Sequence, residues 1–209
     1  PFPAICGRIC DHRCESACSR GKVDEAVNIR GLKRFVTDHA FVSPRIKPEP
    51  PERHFAERVA IIGAGPCGLT AAQDLLRLGY GATVFEALPA PGGMLRFGVP
   101  AHRLAAEVID REIQDILDLG VDLRLNTRVG NLDQLFDQGY KAVLIAVGAQ
   151  EGIRLPIPGN TLQGVLINTL FLRDVRLAEM KRAHGDQAGA AAVDPAAAIR
   201  GKDVVVVGG

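Results

Sequence analysis

Four cysteines recur at intervals of four residues near the start of the chain, at Cys6, Cys10, Cys14 and Cys18. Thiolates bind zinc and iron–sulfur clusters, and this density of thiols exceeds what the packing of small side chains needs. Structural zinc sites usually contain C-x2-C pairs, which this stretch lacks, although His12 is a further donor. Thiols stay reduced in the cytosol, which disfavours disulfides. The pattern favours an iron–sulfur cluster and leaves zinc, disulfides or buried small residues as alternatives.

A glycine-rich turn is the second candidate for chemistry. Gly63, Gly65 and Gly68 form G-x-G-x-x-G directly after the apolar run Val59–Ile62 and before a helical pattern over Leu69–Leu78. The first glycine permits a tight turn, the second lets backbone N–H groups approach a pyrophosphate, and the third allows close packing of helix on strand. Phosphates are favoured there by unpaired N–H groups and by the helix dipole. The strand, turn and helix together predict a dinucleotide site.

An acidic residue completes this pattern. A second apolar run, Ala82–Phe85, ends on Glu86, which lies 18 residues after Gly68. A carboxylate at the tip of the second strand of a βαβ unit accepts hydrogen bonds from a ribose diol, at an expected distance of about 20 residues along the chain. We therefore expect Glu86 to contact the ribose of the bound dinucleotide.

The composition excludes several functions. The net charge of +1 gives no overall attraction to nucleic acid or to a membrane. The chain has no tryptophan and two tyrosines, which disfavours base stacking on aromatic side chains. Its apolar runs are too short to span a bilayer. We expect a cytoplasmic protein with no nucleic-acid partner, and a fragment of a longer one, because the chain begins at Pro1 without a methionine.

Three separate stretches resemble one known family. They are CGRICDHRCESACSRGKVDEAVNIRGLKRF, VAIIGAGPCGLTAA and GGMLRFGVPAHRL, in this order along the chain. The sequence is similar to the family that contains the small (beta) subunit of glutamate synthase and the N-terminal half of dihydropyrimidine dehydrogenase. The resemblance implies an α/β fold, in which a Rossmann-like FAD-binding parallel sheet is preceded by a small α-helical iron–sulfur domain.

The resemblance also implies cofactors and the residues that hold them. Electrons are expected to enter from NAD(P)H, pass to FAD, and leave through [4Fe–4S] clusters to an electron-accepting partner subunit or domain. The metal ligands would be Cys6, Cys10, Cys14 and Cys18. The residues expected to contact FAD are Gly63, Ala64, Gly65, Pro66, Cys67, Gly68, Glu86, Gly93, Met94, Leu95, Arg103, Val129, Val147 and Gly148.

The sequence departs from the family pattern at three positions. Lys33 stands where some relatives have a Gln or Glu that completes a cluster, and an ammonium group cannot ligate iron. In the family, both clusters also take ligands from a further group of cysteines. The four cysteines here therefore do not complete two clusters by themselves. Cys67 occupies a small-residue position in the phosphate loop and is interpreted as a filler, and Val147 replaces a common threonine.

The patterns divide the chain into four parts. Residues 1–42 form the cysteine-rich helical domain, with an amphipathic helix over Val27–Ala40 whose Phe35 is expected in the core. Residues 43–57 are a proline-rich linker, 58–200 an incomplete FAD-binding domain, and 201–209 the start of an NAD(P)-binding domain. Further elements are predicted as a helix over 104–117, a strand over Val121–Leu125, a short helix over Asp133–Gly139, a buried strand over Lys141–Gly148, a helix over Ile167–Lys181, a mobile insertion over His184–Ile199, and a strand over Asp203–Val207 followed by Gly208 and Gly209.

The sequence thus predicts an electron-input oxidoreductase module with no residue that resembles a general acid, base or nucleophile. Two other functions remain open. One is a zinc-stabilised interaction domain joined to a flavin-binding scaffold. The other is a simple flavin- or NAD-dependent dehydrogenase, including a disulfide reductase, although Cys67 is the single cysteine in the predicted flavin domain.

Overall fold

The computed structural model describes residues 1–207. Four strands alternate with helices along the chain, as expected of an α/β fold. The strands are β1 (Arg58–Ile62), β2 (Gly81–Phe85), β3 (Asp122–Arg124) and β4 (Ala142–Ile145). The helices are α1 (Pro3–Ile9), α2 (Arg13–Ser16), α3 (Ile29–Val42), α4 (Pro66–Arg77), α5 (Met94–Phe97), α6 (Ala106–Leu117), α7 (Asp133–Asp137), α8 (Asn168–Ala183), α9 (Gln187–Val193) and α10 (Ala196–Ile199), with a 3-10 helix at Ser19–Lys22.

The sheet is entirely parallel and has the strand order β3-β2-β1-β4. Every residue of β2 is buried, as expected of an inner strand that is covered on both faces. β4 is an edge strand, and Ile145 at its end is 59% exposed. The prediction of a buried strand over Lys141–Gly148 is therefore right about the strand and wrong about its burial, because nothing pairs with the outer side of β4 among the described residues.

One hydrophobic core joins the sheet to its helices. α4 packs on β1 and β2, and α6 packs on α4. Ile61 and Val84 from the sheet lie in this core with Leu69 of α4 and with Ile109 and Ile116 of α6, all five fully or almost fully buried. The amphipathic pattern expected over 104–117 is confirmed as α6, whose apolar face is the buried one.

The N-terminal helix belongs to the same core. Phe2, Ala4 and Ile5 are buried within the cluster that contains the sheet and α6. α1 also packs against α3, and α3 begins where the side chain of Asn28 accepts a hydrogen bond from the N–H of Gly31. The segment 43–57 contains no helix or strand. The division into domains stays a prediction, and α1 is packed as part of the α/β layer.

Residues 184–199, predicted as a mobile insertion, contain α9 and α10, and their mobility stays a prediction. Two expectations about local structure are wrong. Phe35 is 70% exposed, because the apolar side of α3 that carries it is not covered by any described residue. Asp203–Val207 is not a strand, because a strand requires a hydrogen-bonded neighbour and none of the described strands pairs with it. Gly208 and Gly209 lie outside the described residues.

Candidate dinucleotide cavity and cysteine segment

A cavity of about 1150 Å³ opens at the carboxyl ends of β1, β2 and β4. Open parallel sheets bind their ligands at this edge. Most of the residues predicted to contact FAD line this cavity. They are Gly63, Gly65, Pro66, Cys67, Glu86, Gly93, Met94, Val129, Val147 and Gly148. The tertiary structure therefore brings together segments that are distant in the sequence, and does so around a space large enough for an extended ligand.

The glycine turn after β1 has no room for side chains at two positions. Gly63 has a φ of 109°, and a Cβ there would lie 2.4 Å from the carbonyl oxygen of Ala146. A Cβ on Gly68 would lie 2.0 Å from the carbonyl oxygen of Gly63. Gly65 differs, because a Cβ there would meet only the Cα of Gly93, at 3.9 Å. The first and third glycines are thus needed for packing, whereas Gly65 keeps the backbone open towards the cavity.

A second glycine pair crosses the first turn. The N–H of Gly92 donates to the carbonyl of Ala64 across 2.8 Å. Gly93 has a φ of 51°, and a Cβ on it would lie 2.8 Å from the Cα of Gly65. The two loops therefore pass backbone against backbone, which only glycine at position 93 permits. This contact forms one wall of the cavity, as the predicted approach of Gly93 to a flat ring requires.

The N-terminus of α4 faces the cavity. Gly65 is its N-cap, no side chain caps the helix, and Pro66 and Cys67 line the cavity from its first turn. Unpaired N–H groups and the positive end of the helix dipole attract phosphate at such a position. Pro66 suits the first turn because it has no N–H to leave unpaired. This end of α4 fits the pyrophosphate of a dinucleotide.

Glu86 is buried at the end of β2 and is bonded to the backbone through both carboxylate oxygens. One oxygen accepts the N–H of Ala64 at 2.8 Å, and the other accepts the N–H of Leu88 at 2.9 Å. Each oxygen has a second lone pair, which leaves acceptor capacity for a ribose diol. Glu86 thus both shapes the glycine turn and presents oxygen acceptors to the cavity.

Four of the predicted FAD residues do not line the cavity. Ala64, Gly68 and Leu95 are buried beneath its wall, where the N–H of Ala64 is bonded to Glu86. Arg103 lies exposed on the turn before α6. Ala64, Gly68 and Leu95 lie beneath the residues that line the cavity, and Arg103 makes no described contact with that lining.

Sequence reasoning missed the basic side of the cavity. Arg128, Arg154 and Arg173 line it, and Leu170 lies one helical turn from Arg173 on α8. These residues follow no motif, and α8 shows no clear amphipathic pattern in the sequence. Arg128 directly precedes Val129, the predicted adenine contact, and this adjacency was the one available signal. The guanidinium groups suit the anionic part of a dinucleotide.

The four N-terminal cysteines are spread over successive short elements. Cys6 lies in α1, Cys10 is its C-cap, Cys14 lies in α2, and Cys18 precedes the 3-10 helix. All four are free thiols, and Cys14 is exposed. Within residues 1–207, no three His, Cys, Asp or Glu side chains converge as a metal site. The four thiols are therefore not arranged as one closed four-cysteine site in this structure.

The backbone around Cys18 favours a thiolate. Hydrogen bonds from the backbone of Val27, then of Arg20, lower the pKa of the Cys18 thiol. Nearby, the N–H of His12 donates to the sulfur of Cys10 at 3.4 Å. Backbone N–H groups directed at sulfur stabilise anionic thiolates, the form in which cysteine binds metals. The lowered pKa of Cys18 therefore favours the form of cysteine that binds metals.

The fold and the cavity define a dinucleotide-binding α/β protein. Comparison with known families identifies the class of this protein more closely. Residues 57–209 match the pyridine nucleotide-disulphide oxidoreductase family, and residues 1–44 match dihydropyrimidine dehydrogenase domain II, a 4Fe-4S cluster domain. The chain belongs to the pyridine nucleotide-disulphide oxidoreductase family. The predicted family, fold class and oxidoreductase class are thereby confirmed, and the predicted flavin, nicotinamide and [4Fe–4S] cofactors are those of the two matched domain types.

Individual relatives cover the whole of this chain. It is 39% identical to the NADP(+)-dependent formate dehydrogenase subunit beta of Moorella thermoacetica, over 98% of this chain and 30% of the relative. It is 33% identical to the glutamate synthase [NADPH] small chain of Bacillus subtilis, over 100% of this chain and 41% of the relative. The chain thus spans less than half of these relatives.

A solved structure shows the same fold. The chain is similar to Mycobacterium tuberculosis FprA in complex with NADPH, with a TM-score of 0.52 and 29% identity over 56% of this chain and 28% of that one.

No helix among residues 1–207 combines the length and the apolar character that a membrane span needs.

Proposed function

We propose that this chain is the flavin-binding part of an electron-input module. When bound, FAD would supply hydride acceptance from NAD(P)H and release of single electrons, and [4Fe–4S] clusters would supply the path to an accepting subunit or domain. The observation that carries the proposal is the cavity at the carboxyl ends of the strands, lined by the glycine turn, the N-terminus of α4 and Glu86. The module would act in the cytoplasm.

The residues of this chain bind and orient the flavin. The first turn of α4 would hold the pyrophosphate, Glu86 the ribose, and the loop at Gly93 and Met94 the region near the ring. Val129 would contact the adenine through its backbone, and the loop at Val147 and Gly148 would close the cavity. None of these residues supplies an acid or base, so their contribution is orientation, exclusion of water and charge complementarity.

The printed names of two relatives support the proposal of a partner subunit. The relative from Moorella thermoacetica is named as a subunit of a formate dehydrogenase, and the relative from Bacillus subtilis as the small chain of a glutamate synthase. We propose that the protein containing this chain likewise serves a second subunit or domain, where the substrate is converted. Cys6, Cys10, Cys14 and Cys18 would contribute cluster ligands, completed by ligands other than these residues.

Cofactor analysis of the intact protein, purified without oxygen, tests this function. We expect flavin absorption together with iron and acid-labile sulfide. A Cys14→Ser/Cys18→Ser double variant should lose iron and keep flavin, because these residues lie outside the flavin cavity. A colourless preparation would overturn the proposal. Zinc without sulfide would favour an interaction domain on a flavin scaffold, and flavin without iron would favour a simple dehydrogenase.

The chain 1–209 by itself provides a second test. We expect it to bind FAD through the cavity but not to oxidise NAD(P)H, because in this proposal the nicotinamide-binding domain starts at residues 201–209. Rapid NAD(P)H oxidation by this chain would contradict the proposed division of the two dinucleotide sites. Addition of free FAD separates a missing cofactor from a missing nicotinamide site.

A further inference from the structure

Helix α6 holds the N-terminus of α1 with a buried carboxylate. The oxygens of Glu112 accept the N–H groups of Ala4 at 2.6 Å and Ile5 at 3.0 Å. These two N–H groups belong to the first turn of α1, where no residue of the helix itself can accept them. Glu112 is 5% exposed, so water does not replace these bonds. A single side chain, more than a hundred residues away along the chain, thus caps α1.

Arg111, which precedes Glu112 in α6, binds the C-terminal end of α3 with its positive charge. Arg111 donates to the carbonyl of Phe41 at 2.7 Å and to that of Ala40 at 3.3 Å, and its guanidinium lies 4.4 Å from the centre of the Phe41 ring. These carbonyls are in the last turn of α3. A carboxylate at a helix N-terminus and a cation at a helix C-terminus both complement the helix dipole. Arg111 and Glu112 therefore form a clamp of matched charge on α1 and α3.

The clamped helix carries cysteine. Cys6 lies in the middle of α1, one residue after Ile5, and its N–H is bonded to the carbonyl of Phe2. The N–H of Cys10, at the end of the same helix, donates to the carbonyl of Cys6. Both sulfurs therefore move with α1. Because Glu112 holds the first turn of α1, it also determines where these two sulfurs lie.

The first half of α6 also contacts the loop that lines the cavity. Asp110 forms an ion pair with Arg96, whose Nε donates to the carbonyl of Pro91 at 2.6 Å. A Cβ on Gly92 would lie 3.3 Å from Cγ2 of Ile109. Ile109 thus lies beside the Pro91–Gly93 loop and Asp110 holds the arginine that is bonded to it, while Arg111 contacts α3 and Glu112 contacts α1.

We propose that α6 is the joint that fixes the cysteine-bearing helix α1 relative to the flavin loop, with Glu112 as the positioning residue. This inference rests on the proposed function for its significance, since flavin and cysteine ligands must be held at a constant separation for electrons to pass. Its structural content is independent of that function. Glu112 would act by orienting α1 and would touch neither flavin nor metal.

Hydrogen exchange and thiol alkylation of the metal-free protein test the joint. In Glu112→Ala, two buried N–H groups lose their acceptor, and we expect the amides of Cys6 to Ile9 to exchange at least about tenfold faster, since the loss of even one charge-assisted hydrogen bond gives about that factor. Alkylation of Cys6 should accelerate by a similar factor relative to that of the exposed Cys14. Amides of α4 should keep their exchange rates.

Glu112→Gln and Glu107→Gln are the matched variants. Glutamine retains one acceptor oxygen in nearly the same shape, so its effects should fall between those of glutamate and alanine. Glu107 is exposed on the same helix, and its variant should behave as the wild type. Faster exchange confined to Ala4 and Ile5, with Cys6 unchanged, would overturn the proposal, as would equal effects of the Glu107 and Glu112 variants. If Glu112→Ala does not fold, Glu112→Gln decides.

The iron-to-flavin ratio separates this inference from the proposed function. In the intact protein purified without oxygen, Glu112→Ala should retain flavin and lose iron relative to the wild type, because α1 no longer holds Cys6 in place. A wild-type protein without flavin and iron would overturn the proposed function. The hydrogen-exchange data would still decide the role of Glu112. A variant that exchanges faster at Cys6 yet keeps its full iron would show that α1 needs no such positioning, and would overturn the joint alone.

Discussion

The carboxylate of Glu86 accepts the N–H of Ala64 across 2.8 Å, and this bond ties the end of β2 to the glycine turn after β1. The acid expected to hold the ribose therefore also shapes the loop expected to hold the pyrophosphate. Since its other oxygen accepts the N–H of Leu88, the same side chain orders the chain that leaves β2. The proposed ribose and pyrophosphate sites would thus both depend structurally on this one residue.

Replacement of Glu86 by glutamine should weaken both the fold and the flavin site. Glutamine has one acceptor oxygen, so one of the two buried N–H groups loses its partner, which costs about 1–3 kcal/mol of unfolding free energy. FAD affinity should fall about tenfold, because the loop is less ordered and a ribose acceptor is lost. Urea denaturation of the flavin-free protein and flavin fluorescence titration measure the two effects. Glu57→Gln, at an exposed position, is the control, and unchanged stability of Glu86→Gln would contradict the double role.

Alanine at Gly65 and at Gly68 should have opposite consequences. At Gly65 a Cβ has space in the flavin-free protein, and the φ of −78° suits alanine, so stability should change by less than about 1 kcal/mol. The methyl group would stand where the backbone meets a pyrophosphate, and FAD affinity should fall about tenfold or more. At Gly68 the Cβ meets the carbonyl of Gly63, which should destabilise the fold itself by about 1–3 kcal/mol.

Gly130→Ala is the control for this pair, because a Cβ there has nothing within 4 Å. Thermal unfolding of the flavin-free variants and calorimetric titration with FAD give the two quantities separately. Gly65→Ala that binds FAD like the wild type would show that the cavity beside α4 is not the pyrophosphate site.

Two arginines should differ in their effect on flavin binding. Arg128 lines the cavity, whereas Arg103 is exposed outside it. We expect Arg128→Ala to weaken FAD binding about tenfold, the effect of losing one charge-assisted hydrogen bond, and Arg103→Ala to leave it nearly unchanged. Salt dependence of the titration supplies a further check, since loss of a phosphate contact reduces it. The reverse order of effects would favour the role that the sequence motif assigned to Arg103.

The contact between α1 and α3 should depend on pH through Asp38. Its hydrogen bond with Arg8 lowers the pKa of Asp38 below the ordinary 3.8, and Arg34 adds to this. Because the folded-state pKa is lowered, the stabilisation is present above pH 3.8 and is lost as the pH falls through the lowered pKa. Asp38→Asn should abolish this part of the acid dependence of unfolding, measured by urea denaturation across the acid range. Asp137→Asn, at an exposed site, should retain it.

Local patterns were sufficient for the centre of the fold. The apolar runs that predicted strands at Val59–Ile62 and Ala82–Phe85 correspond to β1 and β2, and the glycines between them make the turn that their spacing indicated. The pattern succeeded because a βαβ unit is built from contacts between residues close in the sequence. Glu86 was found for the same reason, since the length of the unit fixes its distance from the turn.

Other features follow from contacts that no local pattern encodes. The period of α3 marks an apolar side, but the exposure of Phe35 depends on what else packs there. Arg128, Arg154 and Arg173 reach the cavity from loops and a helix whose sequences carry no motif. The spacing of the cysteines predicted thiol ligands without showing that they are divided among three short helical elements.

Side-chain types and their spacing within about thirty residues were enough to specify the parallel βαβ core, the glycine turn and its acid. Tertiary structure alone decided which residues enclose the cavity and how the cysteine-bearing helix is seated on α6. Hydrogen bonds such as those from Ala4 and Ile5 to Glu112 join residues more than a hundred positions apart. Their partners are selected by the packing of the whole core, which no stretch of sequence specifies on its own.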